Sequence, residues 1–572
     1  MRIDLSKSGR LTVSQAKQLT AVADRVRGLY NEMIEKLSEG NEGNIDWWVS
    51  NVASRNTYAS SLFRDCCYTL LAMELLESGE IDEIVVDSKA LSRVLMKLCE
   101  KKKVRVRVIF KRGCLQPFLF LLKGVLGYIY SLVIHVFRYL LCRFALPPSV
   151  EPLPTNCTLI DLFILDQSFI TGQFKDRYYE NFGGFLTEKE RAAHIYMPTF
   201  LVHFWNLIGV IRAVRSSDKR FLLYEDMLKV SDFAYAWAYP FRISRFFPKK
   251  TLMDGLDVTP LLRQAWLEQL FSSSAMEALL KFRFPRRLKD RGVSVRLVID
   301  WFENQNIDKG SNAGFRKFYP ETPIIGYQGF DTQKYYLCAY PNRSEHQSGV
   351  LPHTVAVCGR ALVEERRQFF PELDVVTAPA FRYVRAWNDR AGKEKSEYFL
   401  VLIPLPLETD SAANIVATAV ELIGLLPSGS VRFWLKPHPA AQMETIIHRA
   451  GLSLPPEIKV VKGDYYEYLE QVDMLMGDTS STILEAIAWG IPVIIVTNRY
   501  GITHNPVPET VPEDMWCLCY TKEEMAEAIS RYAARSDEDR MRGASIGRVV
   551  RENYFEPVTR ESVRAFLRLS DS

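Results

Sequence analysis

Between Tyr398 and Val496 short apolar runs alternate with segments of helical period, and this alternation constrains the fold more than any other feature of the chain. Tyr398–Ile403, Val431–Leu435, Ile458–Val461, Met474–Gly477 and Val493–Val496 read as buried strands. Ser411–Leu425, Tyr465–Gln471 and Ile483–Trp489 read as helices between them. Continuous apolar strands separated by helices predict a parallel, doubly wound sheet covered on both faces. In such a sheet ligands bind outside the carboxyl ends of the strands, and two of these ends carry chemistry suited to an anion. Val431–Leu435 delivers Lys436 and His438 into a loop stiffened by Pro437 and Pro439. The run ending at Gly477 leads through Asp478 and Thr479 into Ser480, Ser481 and Thr482, where a helix opens with free N–H groups. The two loops are expected to converge on one diphosphate or sugar phosphate, with Glu485 one turn into the helix. A serine or threonine at a helix start is more often only a cap; the pairing with the basic loop singles this one out.

A Lys-Pro-His-Pro loop, then a Ser-Ser-Thr-x-x-Glu-Ala helix and a Gly-x-Pro-Val-Ile strand, resembles the donor half of GT-B glycosyltransferases of bacterial surface-carbohydrate synthesis. The likeness is strongest to enzymes using CMP-activated acidic sugars, the sialyl-, polysialyl- and Kdo-transferases, and is confined to residues 395–497. It implies two Rossmann-like domains facing a cleft. It also implies a nucleotide-sugar donor held by Lys436, His438, Pro439, Gly477, Asp478, Thr479, Ser480, Ser481, Thr482 and Glu485, with His438 stabilising the departing phosphate. CDP-glycerol-type polymerases share similar pieces, so a UDP- or GDP-sugar transferase or a CDP-polyol phosphotransferase is the alternative.

With 572 residues the chain is too long for one core. Repeated strand-helix units between residues 158 and 358 suggest a first Rossmann-like domain. The expected layout is an acceptor-side domain over 1–382, a polar linker over 383–395, a nucleotide-sugar domain over 396–555, and a last helix over 556–572 that crosses back. Residues 198–280 read as helical. In the first domain, Val298-Ile299-Asp300-Trp301-Phe302-Glu303-Asn304-Gln305 leaves a strand at the cleft edge. Glu303, or less favourably Asp300, is the candidate base for an acceptor hydroxyl. Asn304, Gln305, Arg316 and Gln328 are candidate sugar-binding groups. This tract resembles the acceptor side of surface-carbohydrate biosynthesis proteins, but lacks the glycine that follows the acidic pair in bacterial sialyltransferases.

Residues 115–146 are almost wholly apolar, and a basic run (Lys101, Lys102, Lys103, Arg105, Arg107, Lys111, Arg112) precedes them. The longest stretch free of Lys and Arg, Gly124–Phe137, would make about 21 Å of helix, short of the ~30 Å hydrocarbon core. A helical insertion over 113–148 lying on an anionic membrane surface is therefore expected, with a buried hairpin as the alternative. The expected location is cytoplasmic, peripheral to the inner membrane, with a glycan or lipid-linked glycan as acceptor. A net charge of +4 excludes nucleic acid as an expected partner. Ten scattered cysteines without zinc spacing read as reduced thiols. With no Asp-x-Asp pair after a strand of the second domain, no metal or other cofactor is expected. A nucleotide-sugar epimerase or a non-catalytic scaffold on the same architecture are the competing classes.

Overall fold

The computed structural model describes residues 2–111, 116–148, 153–170, 172–330, 333–388, 397–438 and 441–569. Most of the expected linker lies outside this set. Three parallel sheets organise the chain. The first is small, with Arg2–Asp4, Glu83–Val86 and Arg107–Phe110 in that order, and helices Val13–Ser38, Leu62–Glu77 and Lys89–Lys102 between them. Glu83–Val86, Lys89–Lys102 and Arg107–Phe110 thus form a βαβ unit in a sheet of its own.

The second sheet has six strands in the spatial order Val375–Thr377, Thr354–Val357, Ile324–Gln328, Val295–Trp301, Cys157–Leu165, His194–Leu201, all parallel. Read in chain order this is 2-1-3-4-5-6, and the winding direction reverses between Cys157–Leu165 and Val295–Trp301. The second half of strand His194–Leu201, from Pro198 on, lies where a helix was expected. Its Pro198 would break a central strand but is tolerated at this edge, where a missing N–H interrupts no ladder. Successive residues of Val295–Trp301 feed two different cores: Leu297, Ile299 and Trp301 one, Val295 and Val298 the other.

In the third sheet the order is Ile458–Val460, Val431–Lys436, Phe399–Pro404, Met474–Gly477, Val493–Val496, Trp516–Cys519. This is 3-2-1-4-5-6, the dinucleotide-binding winding, with its reversal between Phe399–Pro404 and Met474–Gly477. One apolar core runs between the two six-stranded units, joining Val355, Val357 and Phe370 to Leu402, Leu475 and Ile487. Helix Asp537–Tyr554 closes this junction. A Cβ on Gly359 would lie 2.3 Å from the Tyr554 carbonyl carbon, so only glycine admits the helix end here. The chain then returns to the first domain. Helix Arg560–Phe566 buries Val563 and Phe566 against that sheet, and Arg564 pairs with Glu190 at 3.0 Å. The protein is thus an α/β chain of GT-B-like layout, two doubly wound parallel sheets with a returning C-terminal helix.

The apolar tract forms a helix, Gln116–Leu140, continued by a wider turn over Leu141–Ala145. From Leu121 to Ala145 it is long and apolar enough to cross a membrane, which the shorter uninterrupted run did not suggest. Three of its polar residues, Tyr128, His135 and Arg138, nevertheless face the protein, while Lys123 and Arg143 are exposed. The Tyr128 hydroxyl donates to the Ala236 and Trp237 carbonyls, His135 lies 3.3 Å from Glu277, and Arg138 pairs with Glu225. The outer face shows Leu122, Leu126, Tyr130, Val133 and Leu140 to solvent. This inverts the polarity of an ordinary surface helix. Phe204, packed on Phe137, and exposed Trp205 extend the apolar face sideways.

Candidate active site

Both reversal points lie at carboxyl ends of strands, and loops from these ends meet. On the first-domain side, Trp301 ends its strand and Asn304 takes a left-handed conformation (φ 56°) that turns the chain into helix Asn306–Phe318. Such a conformation costs a non-glycine residue about 1 kcal/mol or more and persists where surrounding contacts fix it. Here Asp308 accepts from the Glu303 and Gln305 N–H groups at 2.9 and 3.0 Å, while the Asn304 amide donates to Glu345 at 3.0 Å. Glu345 in turn accepts from Arg55 (2.8 Å) and Lys309 (2.7 Å), all three side chains being fully buried. Burial pushes the Glu345 carboxyl up, but the two cations overcome this and hold it below its ordinary value.

The turn presents Glu303, half-buried, with both carboxylate oxygens occupied. Trp301 Nε1 donates to Oε1 at 3.1 Å; Gln305 Nε2 at 2.5 Å and the Tyr336 hydroxyl at 2.9 Å donate to Oε2. Asp300 is not brought to the same place. It is 1% exposed, accepts from Asn312 at 2.7 Å, and has its pKa raised well above the usual range by burial and by Asp308 and Asp161. Strand alternation sends it under the helices, away from the cleft, where it cannot reach an acceptor hydroxyl. Asn304 and Gln328 are fully buried, Gln328 between the Ala339 carbonyl and Arg366, so both hold the fold rather than reach a sugar. Arg316 sits in the last turn of its helix, about 15 Å of rise from the cleft edge. There it meets the Leu351 carbonyl and His353. Of the expected acceptor groups, only Gln305 stays beside Glu303.

On the second-domain side, Lys436 donates to the Gly463 carbonyl at 2.7 Å and His438 is exposed; Pro439 lies outside the described residues. Burial, Arg177 and Lys436 together depress the His438 pKa, so this group faces two cations. The 478–482 loop begins two strands away, across Phe399–Pro404, a separation of about 10 Å. The two loops thus suit different parts of an elongated ligand better than one phosphate. Asp478 accepts from the Thr479 N–H (2.6 Å) and from Ser411 (3.0 Å), stitching the reversal point together. Ser480 accepts from Thr482 N–H and Oγ1, which makes it the cap, while Ser481 makes no capping bond. Helix Thr482–Ala488 has only seven residues, so its dipole is weak and the hydroxyls carry what anion affinity the loop has. Gly477 is buried within its strand. Glu485 is 6% exposed, accepts from Tyr466, and is pushed up to about 7 by burial. It lies beneath the loop and supports it.

Residues without a local sequence signal join the two sides. Gln333 of the first domain donates to the Thr479 carbonyl and accepts from the Tyr58 hydroxyl. The Tyr58 ring stacks on His504 at 5.5 Å and lies 5.3 Å from Tyr336, which holds Glu303. An unbroken line, Glu303–Tyr336–Tyr58–His504, therefore crosses from one domain to the other. Arg382, open to solvent, lies over Trp301 (5.9 Å) and within the field of Glu485. Arg177, Arg382 and Lys436 make this cleft cationic at its rim, with His438 beside Arg177 and Lys436. Among the described residues no cluster of three or more His, Cys, Asp or Glu could hold a metal.

No protein-family model matches the chain, and no curated protein matches it. Among solved structures it is similar to S. aureus MnaA in complex with UDP (11% identity, 73% of this chain and 98% of that one, TM-score 0.41). It is also similar to a UDP-N-acetylglucosamine 2-epimerase (11%, 73% and 99%, 0.40) and to CalG4, the calicheamicin glycosyltransferase (11%, 70% and 95%, 0.38). Likeness of this degree carries no inference about the reaction.

Proposed function

We propose that the protein is a glycosyltransferase that moves a sugar from a nucleotide-activated donor to a glycan or lipid-linked glycan acceptor at a membrane surface. The observation that carries this reading is the convergence of the two reversal points: a positioned carboxylate, Glu303, is linked through Tyr336, Tyr58 and Gln333 to Thr479, which leads into the hydroxyl loop 480–482. The donor lies along the carboxyl edge of the third sheet, with Ser481 and Thr482 at one part and Lys436 and His438 at another. The acceptor hydroxyl attacks the anomeric carbon as the carbon–oxygen bond to phosphate breaks. Its proton passes to Glu303, and the nucleotide leaves with the bond's electron pair, stabilised by the cationic rim.

A CMP-linked acidic sugar, of the sialic acid or Kdo kind, is the favoured donor. Such a sugar brings a carboxylate besides its phosphate, and Arg177 and Arg382 supply cations beyond those a single phosphate needs. With the charge provided by side chains, the reaction is read as independent of metal and of other cofactors. A UDP- or GDP-sugar donor, or transfer of a polyol phosphate from CDP, is the alternative. The outward apolar face of the Gln116–Leu140 helix supports peripheral attachment to the cytoplasmic side of the inner membrane.

Thermal stability of the detergent-solubilised protein with CMP, CDP, UDP and GDP tests the reading, because a ligand at a hundred times its Kd adds about 2.7 kcal/mol. Stabilisation by CMP that weakens in His438→Ala is expected. Preference for UDP or GDP would move the donor to the alternative, and silence toward every nucleotide would remove the transferase reading.

A further inference from the structure

A groove of about 1630 Å³ opens on the N-terminal unit, away from the cleft rim described above. One end is the segment Thr57–Ser61, whose Tyr58 is the cleft wall that stacks on His504. The other end is Leu121 and Lys123 on the apolar helix. Along its length, helix Lys89–Lys102 lines the groove with Lys89, Arg93 and Lys97 at four-residue spacing, so all three lie on one face. Lys123 of the apolar helix and Lys250 also line it.

The charge is unbalanced where it matters. Arg64 is taken up by Asp65 at 3.1 Å and Lys97 by Asp257 at 3.6 Å. Lys89, Arg93, Lys123 and Lys250 are exposed, and among the described residues no carboxylate lies within ion-pair distance of them. Asp87, Glu100 and Glu268 also line the groove, so its eight basic side chains outnumber its five carboxylates, and an anion there relieves the remaining repulsion. The outward face that begins at Leu121 and Leu122 continues through Leu126, Tyr130 and Val133, which is the surface an acyl or prenyl chain would share with the protein.

We propose that this groove binds the phosphate-bearing head of a membrane-resident amphiphile, with its apolar chain left in the membrane beside the Gln116–Leu140 helix and its glycan directed past Tyr58 into the cleft. The use of the groove as an acceptor track rests on the transferase reading; its occupant does not. A polar head of this kind matches both ends of the groove, cations inside and hydrocarbon at the mouth. A soluble phosphate would match only the first.

The test uses full-length protein and phosphatidylcholine vesicles with or without a polyprenyl diphosphate. Lys89→Glu/Arg93→Glu and, independently, Lys123→Glu/Lys250→Glu reverse exposed charges on different elements of the groove. Each is expected to weaken binding to the diphosphate vesicles by about thirty-fold, the scale of two basic contacts at a membrane, with binding to plain phosphatidylcholine unchanged. Unchanged affinity in both variants overturns the proposal. So does wild-type binding to phosphatidylglycerol vesicles of matched charge as tight as to the diphosphate lipid, or equal affinity for free inorganic diphosphate. The nucleotide-induced thermal shift is read on the same samples. Its absence beside normal, groove-dependent lipid binding would remove the donor reading and leave the groove's occupant in place.

Discussion

The Tyr336 hydroxyl donates to Glu303 Oε2 at 2.9 Å, and the same ring lies 5.3 Å from Tyr58, so the candidate base and the wall between the domains are held by one side chain. Glu303→Gln is expected to lower turnover by roughly two to four orders of magnitude, the usual worth of a general base. Nucleotide binding should stay unchanged. Tyr336→Phe removes one of three hydrogen bonds and should cost much less in turnover while altering the pH profile. Steady-state kinetics beside nucleotide titrations separate these effects, and full activity in Glu303→Gln would falsify the assignment.

His438 is exposed, so its removal should not disturb folding. A lost phosphate donor is typically worth about 3–4 kcal/mol in the transition state. His438→Ala is therefore expected to reduce turnover by roughly two to three orders of magnitude with an unaltered melting temperature. A circular-dichroism melt and a transfer assay on the same preparation check both halves.

The buried cluster behind Asn304 concerns stability. Glu345→Ala leaves Arg55 and Lys309, both fully buried, without their shared counter-ion. Breaking a buried pair from one side costs about 3–5 kcal/mol. Chemical denaturation should show a loss of that order, and a change under about 1 kcal/mol would contradict the assigned role.

Burial raises the Glu485 pKa from 4.5 to about 7, against the opposing effects of Tyr466 and Arg382. Between those two values the folded protein binds more protons than the unfolded chain, so this group's contribution is complete below pH 4.5 and is lost as pH rises through 7. Glu485→Gln should therefore gain stability relative to the parent as pH rises across this window, by up to about 3 kcal/mol, and the gain should level off above it. A difference in melting temperature that stays constant from acid to neutral pH would refute the shift.

Leu126 and Val133 point outward from the apolar helix. Replacing both with Asp should sharply weaken flotation with liposomes and leave nucleotide-induced stabilisation intact, because neither side chain packs on the cleft. Undiminished flotation would locate membrane contact elsewhere.

Much of the second domain was legible because its strands are continuous apolar runs buried on both faces, and these declare themselves locally. The first domain was less so. Edge strand His194–Leu201 contains a proline, and the three-residue strands Arg2–Asp4 and Val375–Thr377 are too short to show a period. Lys436, His438 and Ser480–Thr482 stood out by residue type and position, and all lie at carboxyl ends in the same sheet. Arg177, Arg382, Tyr58, Gln333 and His504 carried no comparable local signal, since their role depends on neighbours hundreds of residues away.

The sequence by itself determined the alternation of strands and helices, the apolar character of residues 115–146, and the chemistry delivered to each strand end, because these follow from side-chain polarity and backbone propensity within a few residues. Strand order was left to the tertiary structure. The 3-2-1-4-5-6 winding inserts Phe399–Pro404 between the basic loop and the hydroxyl loop and separates what the spacing had joined. Packing likewise decided which carboxylate meets the cleft: alternation along one strand sends Asp300 under the helices, and the turn at Asn304 brings Glu303 out. It also turned Arg138 and His135 of the apolar helix inward, where Glu225 and Glu277 pair with them.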